Sequence, residues 1–568
     1  MDKNTNNNKG LFWRFVDFLK KSDAAEAEKK PLIGYRGRQI VILSIVVGFS
    51  VFVGYNLLKF TVLDGDMWRQ RANSQQMSSM KIMANRGTIY DANGTVLAQS
   101  STVWNIVIAP TPIHEANEER RKAYDERVKN KKDDEVIEPF KELSEIICTE
   151  LSKILNVKPD GMSEACKDYT NSYYYVVKRN VEKPEVLLIK QMMLDNNIRA
   201  DCIVTEQSSK RYYPNGSLAS NVIGFTNFDG DGVYGLEAYY DDYLRGTDGK
   251  AFYRTDGLGN GVENENDYIF NATDGYSLVL TLDEVLQHYL EKNLEQCVSQ
   301  HSVINRACGI IMNCKTGGVL AMATSPSYDL NAPSELTSQY DLDLLAQMKE
   351  DGKSEDEIAK QESVLREQQW KNKAVTELYY PGSVFKTVYA DVAGTKISCW
   401  REWGHDTQTL QQAMTNSCNP SFIAIGQALG MQKFCNYFEA FGFTEPTGID
   451  LPGEAQSLYV PYSRMNLVDL AMSSMGQTNK ITPIQMCTAF CAIVNGGHLV
   501  TPHLVDKILD NNGNVVETKE TQIKRQVISE ETSETMRGIL ETIVTENGGH
   551  NAYIAGYRIG GKSGTAEK

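Results

Sequence analysis

Ser383 and Lys386 stand three residues apart in the stretch Tyr379-Tyr380-Pro381-Gly382-Ser383-Val384-Phe385-Lys386. Pro381 and Gly382 read as a turn that opens a helix. The spacing then places the hydroxyl and the amine on one helix face. A serine hydroxyl is a poor nucleophile at neutral pH and needs a partner to accept its proton. Lysine serves only if its pKa falls from about 10.4 toward neutrality. Desolvation or a second nearby cation lowers it. A serine at a helix start also offers its own backbone N–H to a developing oxyanion. A second Ser-x-x-Lys, Ser78 to Lys81, has no Pro-Gly before it and reads as coincidence.

Two further short motifs follow Ser383 in order. Ser417-Cys418-Asn419 lies in MTNSCNPSF, and Lys562-Ser563-Gly564-Thr565 lies in GGKSGTAEK. Lys315-Thr316-Gly317 imitates the last of these, but it falls at an expected hairpin turn. Two lysines converging on one serine in a partly dry cleft cannot both stay protonated cheaply. One becomes a base and the other remains cationic.

The elements that must hold these groups are legible in outline. The chain has 568 residues, a net charge of −15 and 41% hydrophobic residues, which implies two or three domains. Residues 1–39 are polar and basic. Ile40–Phe60 is a continuous apolar run with one charge, Lys59. It is long enough to cross a bilayer of about 30 Å. Basic residues precede it and Asp64 and Asp66 follow, which places the N-terminus in the cytoplasm and the remainder outside. Asn85–Ala98 reads as a hairpin turning at Asn93-Gly94. Residues 112–160 read as surface helix. Ser277–Leu282 reads as a short strand, Asp283 as an N-cap, and Val285, Leu286, Tyr289, Leu290, Leu294, Cys297 and Val298 as one apolar face of a helix. Cys308–Met312 and Val319–Ala323 read as a hairpin. Residues 336–370 and 529–546 read as helices, and Tyr557–Thr565 as a closing strand. The fold class is therefore α+β, with helices packed on an antiparallel sheet.

Composition also excludes chemistry. No basic patch interleaved with aromatics points to nucleic acid. The seven histidines form no His-x-x-x-His pair, and the 11 cysteines form no Cys-x-x-Cys, so no metal is expected. Gly224–Glu237 imitates half of a calcium loop, but position twelve is Ala238. No cofactor is expected.

With the three motifs in order, the sequence resembles the class B penicillin-binding proteins, which are peptidoglycan D,D-transpeptidases. RGTIYDANG at 86–94, GVYGLE at 232–237 and GKSGTAEK at 561–568 carry the resemblance, and SSMGQTNKITPIQM at 473–486 is most like the division and sporulation group of low-GC Gram-positive bacteria. The resemblance implies a cytoplasmic tail (1–39), a transmembrane helix (40–60), a pedestal or dimerisation domain (61–276) and a transpeptidase domain (277–568). It implies that Ser383 attacks the D-Ala-D-Ala carbonyl of a stem peptide and that Lys386 accepts its proton. Ser417 would relay a proton to the departing D-alanine, between Lys386 and Lys562. Asn419 would hold the substrate amide. Lys562 would supply positive potential. Ser563 and Thr565, with Gly564 between them, would receive the terminal carboxylate, and the N–H groups of Ser383 and Thr565 would form the oxyanion hole. β-Lactams would acylate Ser383. The partners implied are the bilayer, a membrane glycosyltransferase and other wall-synthesis proteins.

Two departures from the family bear on activity. Ser383 and Ser417 are closer in sequence than expected, as if part of a helix and loop in VYADVAGTKISCW were missing. The chain also stops at Lys568, where the family continues with further strands and a helix. An active-site strand left at an unpaired edge would make this chain poorly folded or inactive. The competing readings are a catalytically dispensable scaffold, a β-lactam sensor and a hydrolytic β-lactamase.

Overall fold

The computed structural model describes residues 34–60, 64, 77–130, 138–168, 174–255, 261–262, 268–304, 306–387, 403–547 and 550–566. The chain forms two compact units, residues 1–80 with 251–269, and residues 81–250 with 270–568.

In the first unit, helix α1 runs Gly34–Leu58. Its Gln39–Leu58 stretch has a mean hydropathy of 2.2 and is long and apolar enough to cross a membrane. Its apolar side chains, Ile40 and Phe52 among them, are exposed around the helix. That is the pattern of a helix whose solvent is lipid. It covers most of the apolar run at 40–60; most of the expected tail, residues 1–33, lies outside the described residues.

The second unit is built on one twisted sheet. Its strands are β1 Ile89–Tyr90, β2 Val96–Ile108, β3 Tyr175–Val181, β4 Ile203–Tyr212 and β5 Ser277–Leu280, with β6 Ala307–Met312 and β7 Val319–Ser325 forming a separate hairpin. Further on come β8 His498–Val500, β9 Val505–Leu509, β10 Val515–Thr518 and β11 Ile523–Gln526. The seven-stranded sheet runs β10-β9-β5-β1-β2-β3, with β4 also on β2. The β1–β2 hairpin turns as the sequence suggests. Gly94 takes φ +88°, and the Asp91 carboxylate accepts from the N–H groups of Asn93 and Thr95. β5 pairs in parallel with β1 and antiparallel with β9, so one sheet passes from the pedestal segment into the segment that carries Ser383.

That continuity is locked by charge and polarity. Arg86 and Arg211, both nearly buried, donate to the two oxygens of the buried Glu237 at 2.6 and 2.7 Å. Asp450 accepts from the Leu504 and Val505 N–H groups and from the Tyr240 hydroxyl. Around these lies a core of Ile89, Leu97, Leu278, Leu280, Val505 and Ile508. A second core surrounds Phe385, Phe422, Phe434, Phe438 and Phe443.

Several expectations are met. Asp283 caps helix α2, Glu284–Gln300, by accepting from the Leu286 N–H. β6 and β7 pair across the Asn313–Gly318 turn, and Lys315-Thr316-Gly317 sits in that turn, with Gly317 at φ +82°. Asn227 supports the glycine-rich turn, its Oδ1 accepting from the Asp229 and Asp231 N–H groups.

Two expectations fail. The face of α2 turned to the sheet carries Gln287, fully buried, with Leu290 and Leu294 half-buried, whereas Val285 and Tyr289 are exposed. Gln287 fits because its amide both accepts from the Met322 N–H and donates to the Met322 carbonyl. A polar side chain with both ends matched can take a core position. The second failure is Tyr557–Thr565. It makes no ladder with a described strand: Tyr557 N–H donates to the Ile554 carbonyl in a turn, and Gly561 N–H donates to the Leu540 carbonyl. VYADVAGTKISCW, residues 388–400, lies wholly outside the described residues.

Candidate active site

The nucleophile segment is pinned from both ends. Glu377 pairs with Arg306 and Lys373. Tyr379 and Ile481 exchange backbone hydrogen bonds at 2.9 and 3.1 Å. Gly382 N–H donates to the Gly476 carbonyl at 3.0 Å. From there Gly382–Thr387 forms a 3₁₀ helix. With about three residues per turn, residues i and i+3 eclipse, so Ser383 and Lys386 share one edge. Phe385 points the other way and is buried against Phe434, Phe438 and Phe443, with ring centroids 5.4 to 6.5 Å apart. Ser383 is half-buried and Lys386 is 2% exposed.

Lys386 Nζ is held by the second motif. It donates to the Ser417 carbonyl at 2.7 Å, to Ser417 Oγ at 3.2 Å and to Asn419 Oδ1. The Phe422 ring lies 5.5 Å away and adds a cation–π contact. Asn419 opens helix α3, Asn419–Leu429, and Phe422 is one turn further along it. Ser417 sits just before that helix at φ +50°, a left-handed conformation that costs a non-glycine residue about 1–2 kcal/mol. Both its oxygens thereby reach the same ammonium. Strain of this kind collects at working sites.

The third motif lies against the nucleophile turn. Gly382 takes φ +55°, and a Cβ there would run into the Thr565 carbonyl oxygen. A Cβ on Gly564 would come within 2.5 Å of Val384 Cγ2 and 2.8 Å of the Pro381 oxygen. Both glycines are required by close approach, and only a chain without side chains passes here. Ser563, Gly564 and Thr565 are exposed; Lys562 is half-buried, and its Nζ donates to the Ser563 carbonyl at 2.8 Å. Burial pushes the Lys562 ammonium down to about 8. The structure thus brings Ser383, Lys386, Ser417, Asn419, Gly564 and Thr565 to one place. Lys562 and Ser563 adjoin it along the chain.

Sequence reasoning missed Gly476 and Phe422. Gly476, at φ +75°, carries the carbonyl that fixes Gly382, and a Cβ on it would lie 2.8 Å from that of Phe385. Its signal was the Met-Gly-Gln interruption after a helical run. Phe422 was findable as the residue three positions after Asn419.

Comparison with known proteins identifies the family. Residues 307–568 match the penicillin binding protein transpeptidase domain, and residues 81–280 match the penicillin-binding protein dimerisation domain. Stage V sporulation protein D of Bacillus subtilis is 31% identical over 93% of this chain and 74% of that protein. The chain belongs to the class B penicillin-binding proteins. Among other relatives of this penicillin-binding protein, the peptidoglycan D,D-transpeptidase FtsI of Buchnera aphidicola is 25% identical over 96% of this chain and 86% of its own length. Penicillin Binding Protein 2X from Streptococcus thermophilus shares the fold, with a TM-score of 0.58 at 23% identity over 82% of this chain and 66% of that one. The fold is thus a penicillin-binding transpeptidase domain and a dimerisation domain, behind an apolar N-terminal helix that fits a membrane anchor.

Proposed function

We propose that this penicillin-binding protein is a membrane-anchored serine D,D-transpeptidase that cross-links peptidoglycan stem peptides through an acyl-enzyme on Ser383. The observation that carries the reading is the placement of Lys386: it shares the 3₁₀ edge with Ser383 while its Nζ is held by Ser417 and Asn419.

In this reading Ser383 Oγ attacks the carbonyl joining the last two D-alanines, and Lys386, as the neutral amine, takes its proton. The oxyanion forms between the N–H groups of Ser383 and Thr565. Each such donor is worth about 3–4 kcal/mol in the transition state. The C–N bond breaks, and the terminal D-alanine leaves as an amine with a proton relayed through Ser417. The amine of a second stem peptide then attacks the ester, loses a proton to the same base and frees Ser383. Asn419 holds the substrate amide. Ser563, Gly564 and Thr565 receive the terminal carboxylate, under the positive potential of Lys562. A β-lactam follows the first half of this path and acylates Ser383.

The same proposal assigns 1–39 to the cytoplasm, 40–60 to the bilayer, 61–276 to a pedestal and 277–568 to catalysis outside the cell. A membrane glycosyltransferase would make the strands that this protein joins. The test is labelling of the full chain with a fluorescent penicillin, followed by peptide mapping. One label per chain on Ser383, absent in Ser383→Ala, is the expected result. An unlabelled but folded chain sinks the proposal.

A further inference from the structure

A cavity of about 770 Å³ lies between the 81–250 segment and residues 330–335, and none of Ser383, Lys386, Ser417, Asn419 or Lys562 lines it. Its wall contains Arg86 and Arg211. Arg211 donates from Nε to Glu237 and from Nη1 to the Gly87 carbonyl, yet its Nη2 is buried with no hydrogen-bond partner. A guanidinium offers five donors, and an unmatched buried one carries a desolvation cost. The residue is 8% exposed.

The rest of the wall points to what the cavity would take. Six basic and three acidic side chains line the cavity, in a chain whose net charge is −15. Lys81 and Arg245 are paired with Asp248 and Asp231. Arg179 and Lys210 are exposed and make no ion pair among the described residues. Neutral hydrogen-bonding groups, Ser100, Asn105, Asn180 and Ser208, lie between the cations. Phe228, also on the wall, is 88% exposed. Amides and hydroxyls that match sugar hydroxyls, an open aromatic face that matches a sugar ring, and guanidinium groups that match oxyanions occur here together.

We propose that this cavity binds a carboxylate-bearing saccharide, a segment of wall glycan with its stem peptide, away from the reacting ends. The identity of the ligand rests on the transpeptidase reading; the site itself rests on the cavity. A long polymer held at two places is positioned more tightly than one held only at its reacting terminus.

The test uses the full chain in detergent micelles and a soluble disaccharide-tripeptide that lacks the two terminal D-alanines and so has no scissile bond. Calorimetry should give one-to-one binding whether or not Ser383 carries penicillin. Arg179→Glu with Lys210→Glu, both on exposed side chains, should weaken binding by about tenfold or more, as should amidation of the fragment's carboxylates. Absence of binding, equal binding by the double variant or equal binding of the amidated fragment overturns the proposal. So does binding of a glycerol-phosphate oligomer in place of the fragment. Penicillin acylation is measured on the same samples. Normal acylation without fragment binding sinks this site alone; lost acylation with rim-dependent binding sinks the catalytic reading alone.

Discussion

Lys386 Nζ contacts Ser417 through two different atoms, the backbone carbonyl at 2.7 Å and the hydroxyl at 3.2 Å, and Ser417 holds φ +50° while it does so. The amine is therefore positioned by a strained backbone as well as by a side chain. Ser417→Gly removes the hydroxyl and relieves about 1–2 kcal/mol of left-handed strain, against about 0.5–1 kcal/mol of added chain entropy. It should be slightly more stable than the parent. Ser417→Ala keeps the strain and should not be. Both should slow acylation, and Lys386→Ala should slow it by about 10²–10⁴-fold. Thermal melts and penicillin acylation rates read the two effects separately. Equal melting temperatures for the Gly and Ala variants would remove the strain from the argument.

Gly382 is pressed by the Thr565 carbonyl, and Gly352 is not pressed by anything within 4 Å, although both have positive φ, +55° and +72°. Gly382→Ala and Gly352→Ala should therefore share a backbone cost of about 1–2 kcal/mol. Only the first should separate 565 from the nucleophile turn. Its acylation rate should fall by about 10²-fold or more, the effect of losing an oxyanion donor. Comparable acylation by the two variants would show that the 564–566 segment does not complete the site.

The sequence made most of the site legible because the chemistry is carried by short local motifs. Ser383 and Lys386 share a helix turn, and Asn419 begins a helix marked by Pro420. The Asn93-Gly94 hairpin and the Asp283 cap were also local signals. What was not legible depends on long-range pairing. Periodicity on α2 favoured Val285 and Tyr289, but the sheet accepts Gln287, because the Met322 backbone satisfies it. Tyr557–Thr565 has strand composition but no ladder partner among the described residues. The burial of Arg86, Arg211 and Glu237 together could not be read from charges that lie up to 151 residues apart.

Glu237 is the sole carboxylate in contact with Arg211 among the described residues, and it also holds Arg86. Burial works against the Arg86 charge, yet Glu237 and Asp241 hold that charge in place and raise its pKa. Glu237→Gln keeps the shape and removes the compensating charge. Breaking a buried pair from one side costs about 3–5 kcal/mol, a large part of a domain's total of about 5–15. The variant should unfold at markedly lower urea concentration and lose acylation only as it unfolds. Glu357→Gln, on an exposed helix start, should leave the urea midpoint nearly where it is by contrast. A small cost at 237 would mean that water, and not Glu237, satisfies the two guanidinium groups.

Lys562 makes the pH dependence predictable. Burial brings its ammonium from an ordinary 10.5 down to about 8. If its positive charge attracts the substrate carboxylate, acylation by a carboxylate-bearing penicillin should decline as pH rises through about 8. Arginine stays charged beyond pH 12 or so, so Lys562→Arg should move that decline out of the accessible range. Lys562→Gln should be slow at every pH. Stability should respond in the opposite sense. Between about 8 and 10.5 the unfolded lysine holds a proton that the folded one has released. The unfolded state then binds more protons, and stability rises with pH in that window. Acylation rates and urea midpoints measured from about pH 6 to about pH 10 should therefore diverge in the parent and not in Lys562→Gln. An unchanged acylation decline in Lys562→Arg would assign the titration to another group.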